Sequence, residues 1–84
     1  MTYTWDDGSR YIGDSQDEKM HGNGTLVWSN GDVYVGEWNV DRREGKGAFT
    51  WADGSKYEGE WNDDQMHGYG MYSSPDGRQT VGRW

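Results

Sequence analysis

The sequence predicts an all-β fold, a meander of up to eight short antiparallel strands, and three observations carry that expectation. The chain overlays itself when shifted by 23 residues. Within each unit, glycine and aromatic residues recur at every second position, which is the periodicity of a strand. Turn dipeptides punctuate the units at Asp7-Gly8, Asn30-Gly31, Asp53-Gly54 and Asp76-Gly77, the chemistry of tight hairpins. No segment sustains an i, i+3, i+4 apolar pattern, so helices are not expected.

The repeat can be followed column by column. Tyr11, Tyr34 and Tyr57 align, with Thr80 in the fourth slot. Two residues on stand Gly13, Gly36, Gly59 and Gly82, and two further on Ser15, Trp38, Trp61 and Trp84. The second half of the unit aligns Gly22, Gly45 and Gly68, then Gly24, Gly47 and Gly70. Tyr3, Leu26, Phe49 and Tyr72 follow, then Trp5, Trp28 and Trp51 with Ser74 as the exception. All 14 glycines and all six tryptophans fall in these columns, so the glycines are not linker. The chain therefore divides into a late half-repeat (1–10), three full units (11–33, 34–56, 57–79) and an early half-repeat (80–84), read as one repeat domain.

Each strand then has two unlike faces. In Tyr34-Val35-Gly36-Glu37-Trp38 and Gly45-Lys46-Gly47-Ala48-Phe49-Thr50-Trp51, one face carries rings and glycine. The other carries Val35, Glu37, Lys46, Ala48 and Thr50. A glycine between two rings lets rings from the neighbouring strand lie across the backbone. Face parity sets the loop length at the Gly dipeptides. A three-residue loop, Asp6-Asp7-Gly8 with glycine left-handed, pairs Trp5 with Ser9 and keeps the aromatics on one face, whereas a two-residue loop splits them. The other connections, such as Asn62 to Gly68, read as longer polar loops.

Composition narrows the class. The 84 residues sit near the lower edge for one domain, and half of the small hydrophobic fraction is aromatic. Abundant glycine with few aliphatics is a composition of disordered chains, but six tryptophans argue for a packed structure. There is no cysteine, which removes disulfides and thiolate zinc sites. The longest apolar run, Leu26-Val27-Trp28, is far short of the roughly 20 residues of a membrane span. The acidic opening from Met1 to Asp7 has no apolar core of a signal peptide, so a cytoplasmic protein, at most peripheral to a membrane, is expected.

The motifs Tyr34-x-Gly36-Glu37-Trp38, Gly45-x-Gly47, Asp53-Gly54-x-x-Tyr57-x-Gly59-Glu60-Trp61 and His67-Gly68-x-Gly70 resemble MORN (membrane occupation and recognition nexus) repeats. The resemblance covers essentially the whole chain. It implies a single elongated, twisted antiparallel sheet of stacked β-hairpins, with the aromatic/Gly columns packed on one another. Ser15, Ser74, Glu44 and Thr80 depart from the pattern, which makes the terminal units the weakest.

Catalytic constellations do not form. His21 and His67 recur two units apart with Glu44 between, which suits a loop-structuring hydrogen bond better than a metal pair. The acidic loops Asp14–Glu18 and Asp63-Asp64 lack the alternating oxygens, central glycine and distal glutamate of a calcium loop. Ser15 with His21 has no orienting third group. Glu37 and Glu60 could resemble paired glycosidase carboxylates, but their recurrence in register points to a structural role. No phosphate loop leads into a helix. The chain is expected to be non-enzymatic, with no cofactor and no metal.

Binding is the expected function. Nucleic acid is disfavoured by a formal charge of −7 and the lack of a basic groove. Anionic lipid is the runner-up, resting on Arg42, Arg43 and Lys46. The middle unit holding them is neutral, while 11–33 carries −3 and 57–79 carries −4 by formal charge. A protein partner fits best, a basic peptide or amphipathic helix on the aromatic/Gly face. The expected contact is Trp38, Phe49, Trp51, Tyr57 and Trp61, with Glu37, Glu60, Asp63 and Asp64 steering encounter. The third reading is a minimal or designed structural array without a ligand. Edge strands near Tyr3–Trp5 and Thr80–Trp84 would allow self-association.

Overall fold

Every strand pairs with the strand that follows it, because each connection is too short for anything else. The computed structural model describes residues 1–83. It contains β1 (Thr2–Thr4), β2 (Arg10–Gln16), β3 (Lys19–Val27), β4 (Val33–Asn39), β5 (Arg42–Thr50), β6 (Lys56–Asn62), β7 (Gln65–Ser73) and β8 (Gln79–Arg83). These form one open antiparallel sheet in sequence order, with principal extents of 38 × 24 × 14 Å. The described residues include no helix. Trp84, placed above in the tryptophan column and on the last edge strand, lies outside the described residues.

The Asp-Gly and Asn-Gly turns are the three-residue loops that face parity demands. Trp5 N–H donates to the Ser9 carbonyl at 2.8 Å and Gly8 N–H to the Trp5 carbonyl at 3.1 Å, with Gly8 at φ +97°. The turns at Trp28, Trp51 and Ser74 repeat both bonds. Asp7 and Asp53 each accept the backbone N–H two residues on at 2.8 Å, which holds their carboxyls below the usual carboxylate range. Successive turns are also linked. The Ser9 hydroxyl accepts Ser29 N–H at 3.0 Å, and Asp32 accepts Ala52 N–H at 2.8 Å. The next donor in this series is Pro75, which has no N–H.

The remaining connections correct the expectation of longer polar loops. Gln16 pairs with Lys19, Asn39 with Arg42 and Asn62 with Gln65, leaving two-residue loops with both residues at positive φ. This is the type I′ geometry. The strands simply run on through the polar segment, and a bulge absorbs the extra residues. Opposite Glu37 the register shifts, and Gly45 adopts φ +84°. The Glu37 carboxylate accepts Lys46 N–H there at 2.5 Å. Asp14 receives Asn23 N–H and Glu60 receives Tyr69 N–H in the same way. The acid that follows Gly13, Gly36 or Gly59 is thus a bulge clamp, and for Glu37 and Glu60 this is the structural role their recurrence suggested.

The core is built on glycine. Tyr34 lies over Gly36 of its own strand and Gly47 of the next, and its hydroxyl donates to the Glu37 carbonyl at 2.9 Å. A Cβ at Gly47 would overlap the Tyr34 ring and hydroxyl. Tyr11 and Tyr57 repeat the arrangement over Gly24 and Gly70. At Gly24 and Gly47 the tryptophan of the following unit closes the site from the other side. Trp38 Nε1 donates to the Gly24 carbonyl and Trp61 Nε1 to the Gly47 carbonyl, both at 3.2 Å.

Three stability outcomes follow from this packing and these turns. Gly47→Ala should cost about 2 kcal/mol or more by overpacking, whereas Gly82→Ala, where no described residue lies within 4 Å of the added carbon, should be nearly neutral. Val40 is a β-branched residue held at φ +48° in an exposed hairpin tip. Val40→Asn, a residue suited to a type I′ turn, should stabilise by about 1 kcal/mol. Urea unfolding followed by tryptophan fluorescence measures all three.

Candidate functional site

The rings on the glycine face cover one another. Tyr11, Trp38, Tyr34, Trp61 and Tyr57 form a continuous edge-to-face row across the sheet, with centroids 5.0–5.8 Å apart and planes within 8° of perpendicular. A second row near the glycine turns runs Trp28, Phe49, Trp51 and Tyr72. Of the residues expected to meet a partner, Trp38, Phe49, Tyr57 and Trp61 are 5%, 7%, 0% and 5% exposed. They are core, and little of their ring surface is left for a partner. Trp51 alone of the five is half-buried and reaches the surface. A single layer hides these rings because tall side chains from adjacent strands lean across each glycine.

The carboxylates also separate. Glu37 and Glu60 project from the opposite face and are engaged at the bulges. Asp63 and Asp64 form the β6–β7 turn on the edge of the aromatic face. Asp64 accepts Arg43 N–H at 2.8 Å and Arg43 Nε at 3.1 Å, and its carbonyl accepts Arg43 Nη2 at 2.7 Å. Asp63 pairs with Arg42 at 3.4 Å, both side chains exposed. Such an exposed pair contributes little and is open to exchange.

The three cations assigned to lipid do not share a surface. Neighbours in a strand alternate faces, so Arg42 and Arg43 point apart, and Lys46 stands on the face opposite the rings. Arg43 is sunk into the aromatic face, its guanidinium carbon 4.6 Å from the Trp61 centroid and 5.5 Å from that of Phe49. It belongs to a column the sequence displays at the 23-residue spacing, Met20, Arg43 and Met66. Those residues stand on the hairpin-tip side of the ring row, and this repeat was the signal that could have found them.

The ring face keeps a groove of about 480 Å³ lined by Arg43, Phe49, Trp51, Trp61, Asp64, Gln65 and Met66, wider than the openings beside Trp5 and Trp28 (about 180 Å³) and beside Tyr3 and Met20 (about 210 Å³). Its walls are apolar rings and a methionine; its polar end is the Arg43–Asp64 pair. His21 Nδ1 accepts Val40 N–H at 3.4 Å, a hairpin-tip bond of the kind expected. Among the described residues, no group of three or more His, Cys, Asp or Glu side chains converges as a metal would require.

The sequence profile of the MORN repeat matches residues 2–10, 11–33, 34–56 and 57–77, nearly the whole chain. The chain belongs to the MORN repeat family. MORN repeats are non-catalytic modules of interaction or membrane binding, and here they build the open hairpin sheet just described. A search of curated proteins gave no match. No helix among the described residues is long and apolar enough to cross a membrane.

The buried tyrosines give this MORN sheet a pH limit. Burial pushes the Tyr34 hydroxyl up to about 12, against the opposing pull of the Arg43 charge, and raises Tyr11 and Tyr57 as well. A folded pKa above the unfolded value near 10 means the contribution is complete below pH 10 and lost as pH climbs toward 12. Circular dichroism on base titration should show unfolding in that window. Tyr34→Phe should lose about 1 kcal/mol near neutrality, from the missing hydroxyl bond, and show a shallower alkaline decline.

Proposed function

We propose that this MORN chain is a non-catalytic interaction module whose groove seats the apolar stripe of a peptide or amphipathic helix from a protein partner. The observation that carries this reading is the groove itself. It is the place on the aromatic face where Trp51 and Met66 reach the surface together. An apolar anchor entering there covers ring surface that the sheet leaves wet, with the Arg43–Asp64 pair able to orient a backbone amide or a polar flank. The formal charge of −7 favours basic flanks by long-range attraction. Lipid is the weaker reading because Arg43 is sunk among the rings and paired with Asp64 and Arg42 is paired with Asp63, whereas a polybasic signal needs uncompensated charges together.

The test is a pair of helical peptides with the same Leu/Phe stripe, one flanked by lysine and one by glutamate, titrated into the labelled protein. Amide shifts should concentrate at Trp51, Gln65 and Met66, with the lysine-flanked peptide favoured. Met66→Asp should weaken binding about tenfold, and Asp63→Asn should chiefly slow association at low salt. Shifts confined to the opposite face or to the strand edges, or binding only to anionic vesicles, would contradict the proposal.

A further inference from the structure

The face opposite the groove is the second unexplained surface. Its central row crosses all eight strands in register, Thr2, Ile12, Thr25, Val35, Ala48, Glu58, Met71 and Val81. Ile12, Val35 and Val81 are 55%, 52% and 75% exposed, far more than apolar residues in a covered layer. The one acid in the row, Glu58, is neutralised by Lys56 at 2.9 Å. The flanking rows offset one another: Thr4 to Gln79 carries Arg10 and Lys56 without an acid, and Asp14 to Arg83 carries Asp14, Glu37 and Glu60 against Lys46 and Arg83. Across all three rows Arg10, Lys46, Lys56 and Arg83 offset Asp14, Glu37, Glu58 and Glu60, so the formal charge of −7 resides outside them. A protein that concentrates its net charge at turns and strand ends leaves this broad face neutral, β-branched and apolar at its centre. Soluble monomers seldom present such a row uncovered.

We infer that this face is a self-complementary interface that packs against the same face of a second copy. Charge and size both select that occupant. A basic or acidic partner gains nothing from a neutral face, whereas a copy of the face matches it. A two-fold axis parallel to the strands, between β4 and β5, lays Val35 over Ala48 of the second copy and Glu37 over its Lys46. The same operation brings Ile12 toward Met71. Sheets packed in this way stand about 10 Å apart and cross at about 30°, which the rows of short side chains permit. The 38 × 24 Å face offers on the order of 900 Å² per copy, close to the ~800 Å² per partner of a stable interface. The groove on the ring face stays open in this dimer, so it would present two grooves on opposite outer surfaces.

Sedimentation velocity on the full chain from about 1 to 200 µM tests the inference. The parent should pass from monomer to dimer across that range. Val35→Asp and Ile12→Asp, each at a site more than half exposed and checked for unchanged circular dichroism, should each weaken the dimer at least tenfold (about 1.4 kcal/mol). Met66→Asp, on the ring face, should dimerise as the parent does. Isotope-filtered NOEs in a mixture of labelled and unlabelled parent chains should join the Val35 and Ala48 methyls, a readout that needs no substitution. A chain that stays monomeric throughout would overturn the inference. So would a dimer that tolerates both aspartates, one that Met66→Asp abolishes, or one without intermolecular contacts at Val35 and Ala48.

Discussion

The contact on which this structure depends is a tyrosine lying flat over glycine. A sheet one layer thick has no opposing layer to exclude water from its rings, so each ring must find cover within the layer. Tyr34 does so by crossing Gly36 and Gly47, whose missing side chains let it approach the backbone, and by donating to the Glu37 carbonyl. That carbonyl lies where the register slips, so the tyrosine also pins the bulge. The Trp61 indole then donates to the Gly47 carbonyl. One glycine therefore joins β4, β5 and β6, and with them two repeats.

Several features follow from that lock. Once the tyrosine is flat, the indole stands edge-on beside it, and alternation of the two produces the perpendicular row that buries itself. Loss of either ring uncovers its neighbours, so stability is shared between adjacent units, as expected for a one-dimensional array. Hydrogen bonds at both ends of the hairpins reinforce the stacking. Asp41 accepts Met20 N–H and Asp64 accepts Arg43 N–H at one end, while Ser9 and Asp32 receive the next turn at the other. The same economy leaves little ring surface over for a partner, and the widest opening on the ring face is the groove where Trp51 and Met66 emerge.

Much of this was legible in the residues. The 23-residue register, the ring-and-glycine face and the three-residue loop at Asp6-Asp7-Gly8 follow from period-2 alternation and need no tertiary knowledge. The two-residue loops did not show, because Asp17-Glu18, Val40-Asp41 and Asp63-Asp64 are poor type I′ sequences held at positive φ by the strands around them. The site was less legible than the fold. A period-2 pattern tells which face Trp38 and Trp61 occupy but not that neighbouring rings will cover them there. Nor does it tell that Arg43, nominally a surface charge beside Arg42, is drawn in by four rings and Asp64. Charge in a local sequence says little about which face of a strand will carry it.

The direct measurement of the tyrosine-over-glycine lock is a double-mutant cycle between Tyr34 and Gly47, read by urea unfolding. Tyr34→Leu removes the ring that occupies the space above the glycine. Gly47→Ala should then be far better tolerated in the Tyr34→Leu background than in the parent. The account predicts a coupling energy of about 2 kcal/mol between the two sites. Additive losses, with coupling below about 0.5 kcal/mol, would show that the glycine is required for some reason other than the ring above it, and would contradict the account.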